Sequence, residues 1–166
     1  PDELQADIYK NEIAPNIPIR VVPNGVDPLP PGPPPFPHPA GPMVLYAGRI
    51  APEKGIPLLA EAFSLVHAQR PDARLCVVGD WQRYSHIRKV LAEGRDAGRI
   101  ILPGEQKRDA LGAYYGMADV FAFPSQTDTQ ALVLHEAALA GLAACLCALA
   151  WRNRRRSRRA PASLPQ

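Results

Sequence analysis

Four short apolar runs, MVLYAG (43–48), ARLCVVG (73–79), RIILPG (99–104) and DVFAFPS (119–125), are separated by stretches of helical character. That alternation constrains the fold more than any other feature. A strand that is apolar along its whole length has no face to offer water, so it must be covered on both sides. Strands and helices taking turns along a chain give an α/β fold, a Rossmann-like parallel sheet with helices on both faces. The first helix after residue 48 carries Leu58, Leu59, Ala62, Phe63 and Val66 on one side; others are read near 82–94 and over 107–118. The stretch SQTDTQALVLHEAALAG (125–141) supplies one more, and AACLCAL (143–149) reads as a fifth strand. Ligands of such sheets sit at the carboxyl ends of the strands, on the loops that open the helices. Candidate residues are therefore sought there.

The rest of the chain divides around this body. Residues 1–19 read as a short helix and a loop, and IRVVPNGVD (19–27) as a brief strand closed by a Pro-Asn-Gly turn. Nine of the 20 prolines fall between Pro28 and Pro42, and a stretch so poor in backbone donors reads as a stiff linker over 28–42. The folded body is set at 43–150. Residues 151–166 hold six arginines and no acid and read as a disordered tail, so the net charge of +3 misleads. The remaining 150 residues carry 13 basic against 16 acidic groups, which is no footprint of a nucleic-acid binder. Cys76, Cys145 and Cys147 all lie in apolar runs without a metal-binding spacing, as expected of buried thiols in a reducing cytosol. The opening PDELQADIYK shows no secretory leader, and the absence of an initiator Met reads as a fragment. AALAGLAACLCALAW (137–151) is short for a membrane span.

Three strand-end loops hold the candidates. In AGRIAPEKG (47–55), Arg49 and Lys54 stand between glycines, a composition suited to a diphosphate and equally found in a solvated basic loop. In VVGDWQRY (77–84), Gly79 allows close backbone approach, while Asp80 reads first as a helix cap. In the third loop, Thr129 is the expected N-cap, and the N–H groups of residues 130–132 would then face the cleft and favour an anion. Glu136 would stand about 10 Å along the helix from that cap. Asp128 and Glu136 could thus flank a diphosphate, one at the sugar and the other at the ribose hydroxyls. Otherwise Asp128 merely favours the positive helix end and Glu136 is a surface residue. Against the second part, Glu136 lies among Leu132, Val133, Ala137 and Leu139, an odd setting for an unpartnered acid.

The motifs VVPNGVD, LYAGRIAPEKG, LCVVGD and ADVFAFPSQTDTQALVLHEAALAG occur in the order found in family 4, or group 1, glycosyl transferases, which the chain resembles over about residues 20–142. The resemblance implies the C-terminal, donor-binding half of a GT-B fold. It implies transfer of a hexosyl group from a nucleotide-diphosphate sugar to an acceptor hydroxyl, with retention and without metal or other cofactor. Position by position, it assigns the diphosphate to Arg49 and Lys54, with Gly48 as the close-approach glycine. Asp128, Gln130, Ala131 and Leu132 fall to the donor sugar and phosphates, Glu136 to the ribose, and Leu102 and Pro103 to the base. The acceptor, whether sugar, lipid or small molecule, belongs to an N-terminal domain of which residues 1–27 would be the remnant. The enzyme would be cytoplasmic, and a lipid acceptor would bring the full-length form to the inner membrane face.

Departures accompany the match. Asp128 is one methylene shorter than the usual Glu, and Ala131 stands where glycine is common. After Leu142 the family pattern is expected to stop, and AACLCALAWRNRRRSRRAPASLPQ reads as a shifted frame of a GC-rich gene, the alternative being a basic tail for phosphates or anionic lipid. A non-catalytic Rossmann-like binding module and a nucleotide-sugar epimerase-like fragment are the other functional readings. The GRI-PEK loop together with the Asp128/Glu136 helix favours the transferase.

Overall fold

The computed structural model describes residues 3–13, 17–18, 25–125 and 131–146. A short helix α1 (Glu3–Ile8) runs into a π-helical turn (Tyr9–Ile13). The body follows as β1 (Met43–Ala47), α2 (Ile56–Gln69), β2 (Arg74–Val78), α3 (Ser85–Asp96), β3 (Ile100–Gly104), α4 (Arg108–Met117), β4 (Val120–Phe123), α5 (Leu132–Leu139) and β5 (Ala143–Leu146). All strand pairs are parallel, and the sheet order is β3-β2-β1-β4-β5. The chain thus winds outward from β1 to one edge, then returns to β1's other side with β4. The Rossmann-like expectation holds.

Side chains alternate across the sheet, which explains why the strands are apolar throughout. Tyr46, Leu75, Val77 and Ile100 face one layer, where Ile56, Ala60 and Phe63 of α2 and Ile87 and Leu91 of α3 cover them. Met43, Leu45, Ala47, Cys76, Val78 and Phe121 face the other, under Tyr114, Tyr115 and Met117 of α4 and Ala137 of α5. Burying each such Leu, Ile or Phe contributes about 1.5–3 kcal/mol. Burial pushes the Cys76 thiol up to about 12, so it stays protonated in the core. The α2 stripe differs from expectation: Ile56, Ala60 and Phe63 are its buried positions, and Val66 is exposed. The reason is phase, since spacings of four and three from Ile56 lead to Phe63 and leave Val66 turned outward.

Proline-rich residues 28–42, expected as a stiff linker, lie as a strap on α4. Leu29 and Phe36 join the core cluster beneath that helix, and Phe36 meets Tyr114 edge-on at 6.2 Å. His38 Nε2 is 3.0 Å from the Met117 carbonyl at the end of α4. A side chain at Gly112 would overlap the Pro30 carbonyl, so glycine there lets the strap approach. Residues 19–24, expected to form most of a strand, and the tail 147–166 lie outside the described residues. Among the described residues, no helix is long and apolar enough to cross a membrane.

Candidate functional site

The carboxyl ends of β1, β2 and β3 are finished by glycines. Gly48 donates its N–H to the Val78 carbonyl (3.1 Å), and Gly79 donates to the Gly104 carbonyl (3.0 Å), stitching β1 to β2 and β2 to β3 one residue past their ends. Gly48 has φ +147° and Gly79 φ +151°, conformations that side chains rarely adopt. A Cβ on Gly79 would overlap the Gly48 carbonyl. The chain can therefore fold low over the sheet and leave a cleft above it.

From Gly48 the loop runs through Arg49 to a 3-10 turn (Pro52–Lys54) and enters α2 through Gly55, whose φ of +69° is left-handed. The Tyr46 hydroxyl donates to the Arg49 carbonyl at 2.8 Å and ties the loop down. A Cβ on Gly55 would stand 2.9 Å from the Pro124 carbonyl, so this loop packs against the end of β4. β1 and β4 are the strands between which the winding direction reverses, the place where open α/β sheets receive ligands. A cleft of about 210 Å3 lies there, lined by Tyr46, Ala47, Gly48, Arg49, Lys54, Phe123 and the start of α5 at Ala131, Leu132 and Val133. Gly48 and Arg49 also line a wider neighbouring cleft of about 520 Å3, whose other walls include Gly79, Asp80, Arg83, Tyr84, Glu105 and Gln106. The cations and a helix N-terminus meet at the smaller cleft.

Arg49, Lys54, Gly48, Ala131 and Leu132 are thus brought together around one cleft. Asp128 and Gln130 lie outside the described residues, as does Thr129. The expected cap shifts: α5 opens at Leu132 with Ala131 as its N-cap. Leu134 already donates to the Ala131 carbonyl (2.9 Å), so the first-turn N–H groups are those of Leu132 and Val133. Glu136 then stands roughly 6 Å along the axis from Leu132 rather than 10 Å from a cap at 129. The Ser125 hydroxyl, just past β4, is buried without a hydrogen-bond partner among the described residues.

Glu136 is buried, not a surface residue, and it is not unpartnered. Arg108 Nη1 donates to its Oε1 at 2.6 Å, and the Tyr115 hydroxyl donates to Oε2 at 3.2 Å. Burial, reinforced by the Glu136 charge, raises the Tyr115 pKa well above its ordinary value and keeps the hydroxyl a donor. Glu136 does not line either cleft but stands one turn along α5 from Leu132 and Val133, on their side of the helix. Leu102 and Pro103 fall within β3, with Leu102 packed on the core; the cleft wall beyond β3 is made by Glu105 and Gln106. Asp80 is no helix cap: it accepts from the Gln82 N–H at 3.2 Å in a turn, and α3 begins later, at Ser85.

Sequence reasoning singled out the VVGDWQRY loop for Gly79 and Asp80 but passed over its Arg83 and Tyr84; it also passed over Glu105 and Gln106, which follow β3 without a motif, and Arg108 and Tyr115. Arg108 carried one signal. It is a cation in the first turn of a helix, where the macrodipole disfavours it unless a partner compensates.

The family model for glycosyl transferases group 1 matches residues 36–148. The chain belongs to that family. The match continues six residues past Leu142, so β5 is part of the family pattern, contrary to the expected stop. A lipopolysaccharide 1,2-N-acetylglucosaminetransferase of Salmonella typhimurium is 37% identical over 109 residues, covering 61% of this chain and 29% of that protein. An alpha-monoglucosyldiacylglycerol synthase of Acholeplasma laidlawii is 34% identical over 100 residues, covering 60% of this chain and 25% of that protein. The chain thus spans less than a third of the length of these relatives. Among solved structures, the pneumococcal O-GlcNAc transferase GtfA in complex with UDP and GlcNAc superposes with a TM-score of 0.66 at 24% identity, over 86% of this chain and 27% of that one. The C-terminal domain of a group 1 glycosyl transferase from Francisella tularensis gives 0.53 at 20% identity, over 61% of this chain and 55% of that one. The fold of this group 1 chain is the Rossmann-like α/β fold of GT-B glycosyltransferases.

Proposed function

We propose that this chain is the donor-binding domain of a retaining, family 4 hexosyltransferase that moves a sugar from a nucleotide-diphosphate sugar to an acceptor hydroxyl. The carrying observation is the convergence of Arg49, Lys54, Gly48 and the first turn of α5 on one cleft at the β1/β4 reversal. As the bond from the anomeric carbon to the diphosphate breaks, negative charge grows on the leaving group. The cations lining the cleft and helix-terminal N–H groups stabilise that charge in the transition state without a metal. The acceptor attacks from the face the diphosphate leaves, which preserves the anomeric configuration. Asp128 and Gln130 are assigned to the sugar hydroxyls and Glu136 to the ribose. The wider cleft has room for the base, between Arg83, Tyr84, Glu105 and Gln106. The UDP and GlcNAc in the pneumococcal neighbour's complex support a nucleotide-sugar donor.

Under this reading the acceptor is held by a second wall that the described residues do not supply. The chain alone then binds donor without turning it over, in the reducing cytoplasm. The test is to incubate it with UDP-, GDP- and ADP-sugars and a panel of acceptors, with and without an added acceptor domain. Donor protection against thermal unfolding with no transfer by the bare chain is expected. Transfer by the bare chain would refute the division of labour, and absence of protection by every donor would refute the donor site.

A further inference from the structure

The deepest carboxylate beside the site is held by two donors from another helix. Glu136 receives Arg108 on one oxygen and Tyr115 on the other, at 2.6 and 3.2 Å. Arg108 also reaches away from the helix pair: its Nη2 donates to the Asp27 carbonyl at 2.8 Å, at the start of the strap. One guanidinium thus joins α4, α5 and the segment that enters the body. Tyr115 is fixed in turn by stacking on Phe121 of β4, ring centroids 5.5 Å apart and planes 16° from parallel.

The seam lies beside both clefts. Leu111, one turn from Arg108 on α4, lines the wider cleft, and Leu132 and Val133, one turn from Glu136 on α5, line the smaller. A carboxylate has about four acceptor directions, and Arg108 and Tyr115 use two of them. Among the described residues no other donor is seen at Glu136, which leaves two for hydroxyl donors. A carboxylate gripped at both oxygens has lost its rotational freedom before a ligand arrives, so ordering it adds no cost on binding.

We propose that Arg108 and Tyr115 are positioning residues for ribose recognition: they hold the Glu136 carboxylate aimed so that it can accept from the ribose hydroxyls of the donor. This rests on the proposed donor site. It assigns no catalytic role to either residue, since both act through Glu136. The planar fork of Arg108 serves Glu136 and Asp27 at once, which the single ammonium of a lysine cannot do.

The test compares each nucleoside diphosphate (UDP, GDP, ADP) with its 2′,3′-dideoxy form by calorimetric titration of the full chain. Unmodified protein should prefer the ribose form of the nucleotide it binds by about tenfold, the worth of a charge-assisted hydrogen bond. Arg108→Ala should bring the two forms within about twofold while diphosphate-driven binding persists, and Arg108→Lys should restore the preference only in part. Tyr115→Phe, which keeps the ring and its stacking, guards against loss of folding and should lower the preference in the same direction. A preference unchanged in folded Arg108→Ala and Tyr115→Phe overturns the proposal and leaves the donor site standing. Tighter binding by Arg108→Ala would also overturn it, because Arg108 would then be a competitor for the carboxylate. No binding of any of the three nucleotides by the folded chain would overturn the donor site and this proposal together.

Discussion

Two arginine–glutamate pairs of similar length stand at the carboxyl side of this sheet, and they do different things. Arg49 Nη2 meets Glu53 Oε1 at 2.8 Å, four residues on, with side chains 70% and 40% exposed. Arg108 Nη1 meets Glu136 Oε1 at 2.6 Å across 28 residues of sequence, and the glutamate side chain is only 9% exposed. In the first pair water screens both charges, so the bond contributes little and Arg49 can exchange Glu53 for an arriving diphosphate at small cost. In the second the carboxylate has left water and depends on its partners. Distance does not separate an adaptable cation from a fixed scaffold; burial does.

The largest effect that would test this contrast is at the buried acid. Glu136→Ala should destabilise the chain by about 2 kcal/mol, less than a fully buried pair loses because Arg108 is half exposed, as read by urea denaturation. A change below about 0.5 kcal/mol would make the two pairs equivalent and break the comparison. Next, Tyr115→Phe should cost about 1 kcal/mol, since it removes one hydrogen bond from the carboxylate and keeps the packing. The smallest effect belongs to the exposed pair: Glu53→Ala should leave stability within about 0.5 kcal/mol and should not weaken nucleotide binding. Weakened binding in Glu53→Ala would mean that the pair positions Arg49, which would bring the two regions closer in kind.

The same contrast explains what could be read from the sequence. β1, β2 and β3 fall within a residue or so of the apolar runs, because each run must bury both faces and each ends at a glycine the chain needs for its turn. The Gly48–Gly55 loop was legible for the same local reason: its cations and glycines are neighbours in the chain. Helix starts were less legible. Thr129 and Asp80 are good caps by residue type, but α5 opens at Leu132, and Asp80 is engaged in a turn with Gln82. Arg108 was legible only as a cation in the first turn of a helix, without its partner. Its partner lies 28 residues downstream, and nothing in the intervening sequence links Glu136 to it rather than to another cation. The strap was half legible: its prolines exclude a ladder, but its seat on α4 depends on Gly112, Leu29 and Phe36 meeting in space.

The central claim is that Arg49 and Lys54 serve a diphosphate at the β1/β4 reversal. Calorimetric titration of the chain with UDP, GDP and ADP, repeated with Arg49→Ala and Lys54→Ala, tests it most directly. The account predicts saturable binding of one nucleotide, weakened about tenfold or more in each variant that is shown to be folded. Binding of equal strength in the native chain and both variants would contradict it, as would the absence of binding by a chain shown to be folded.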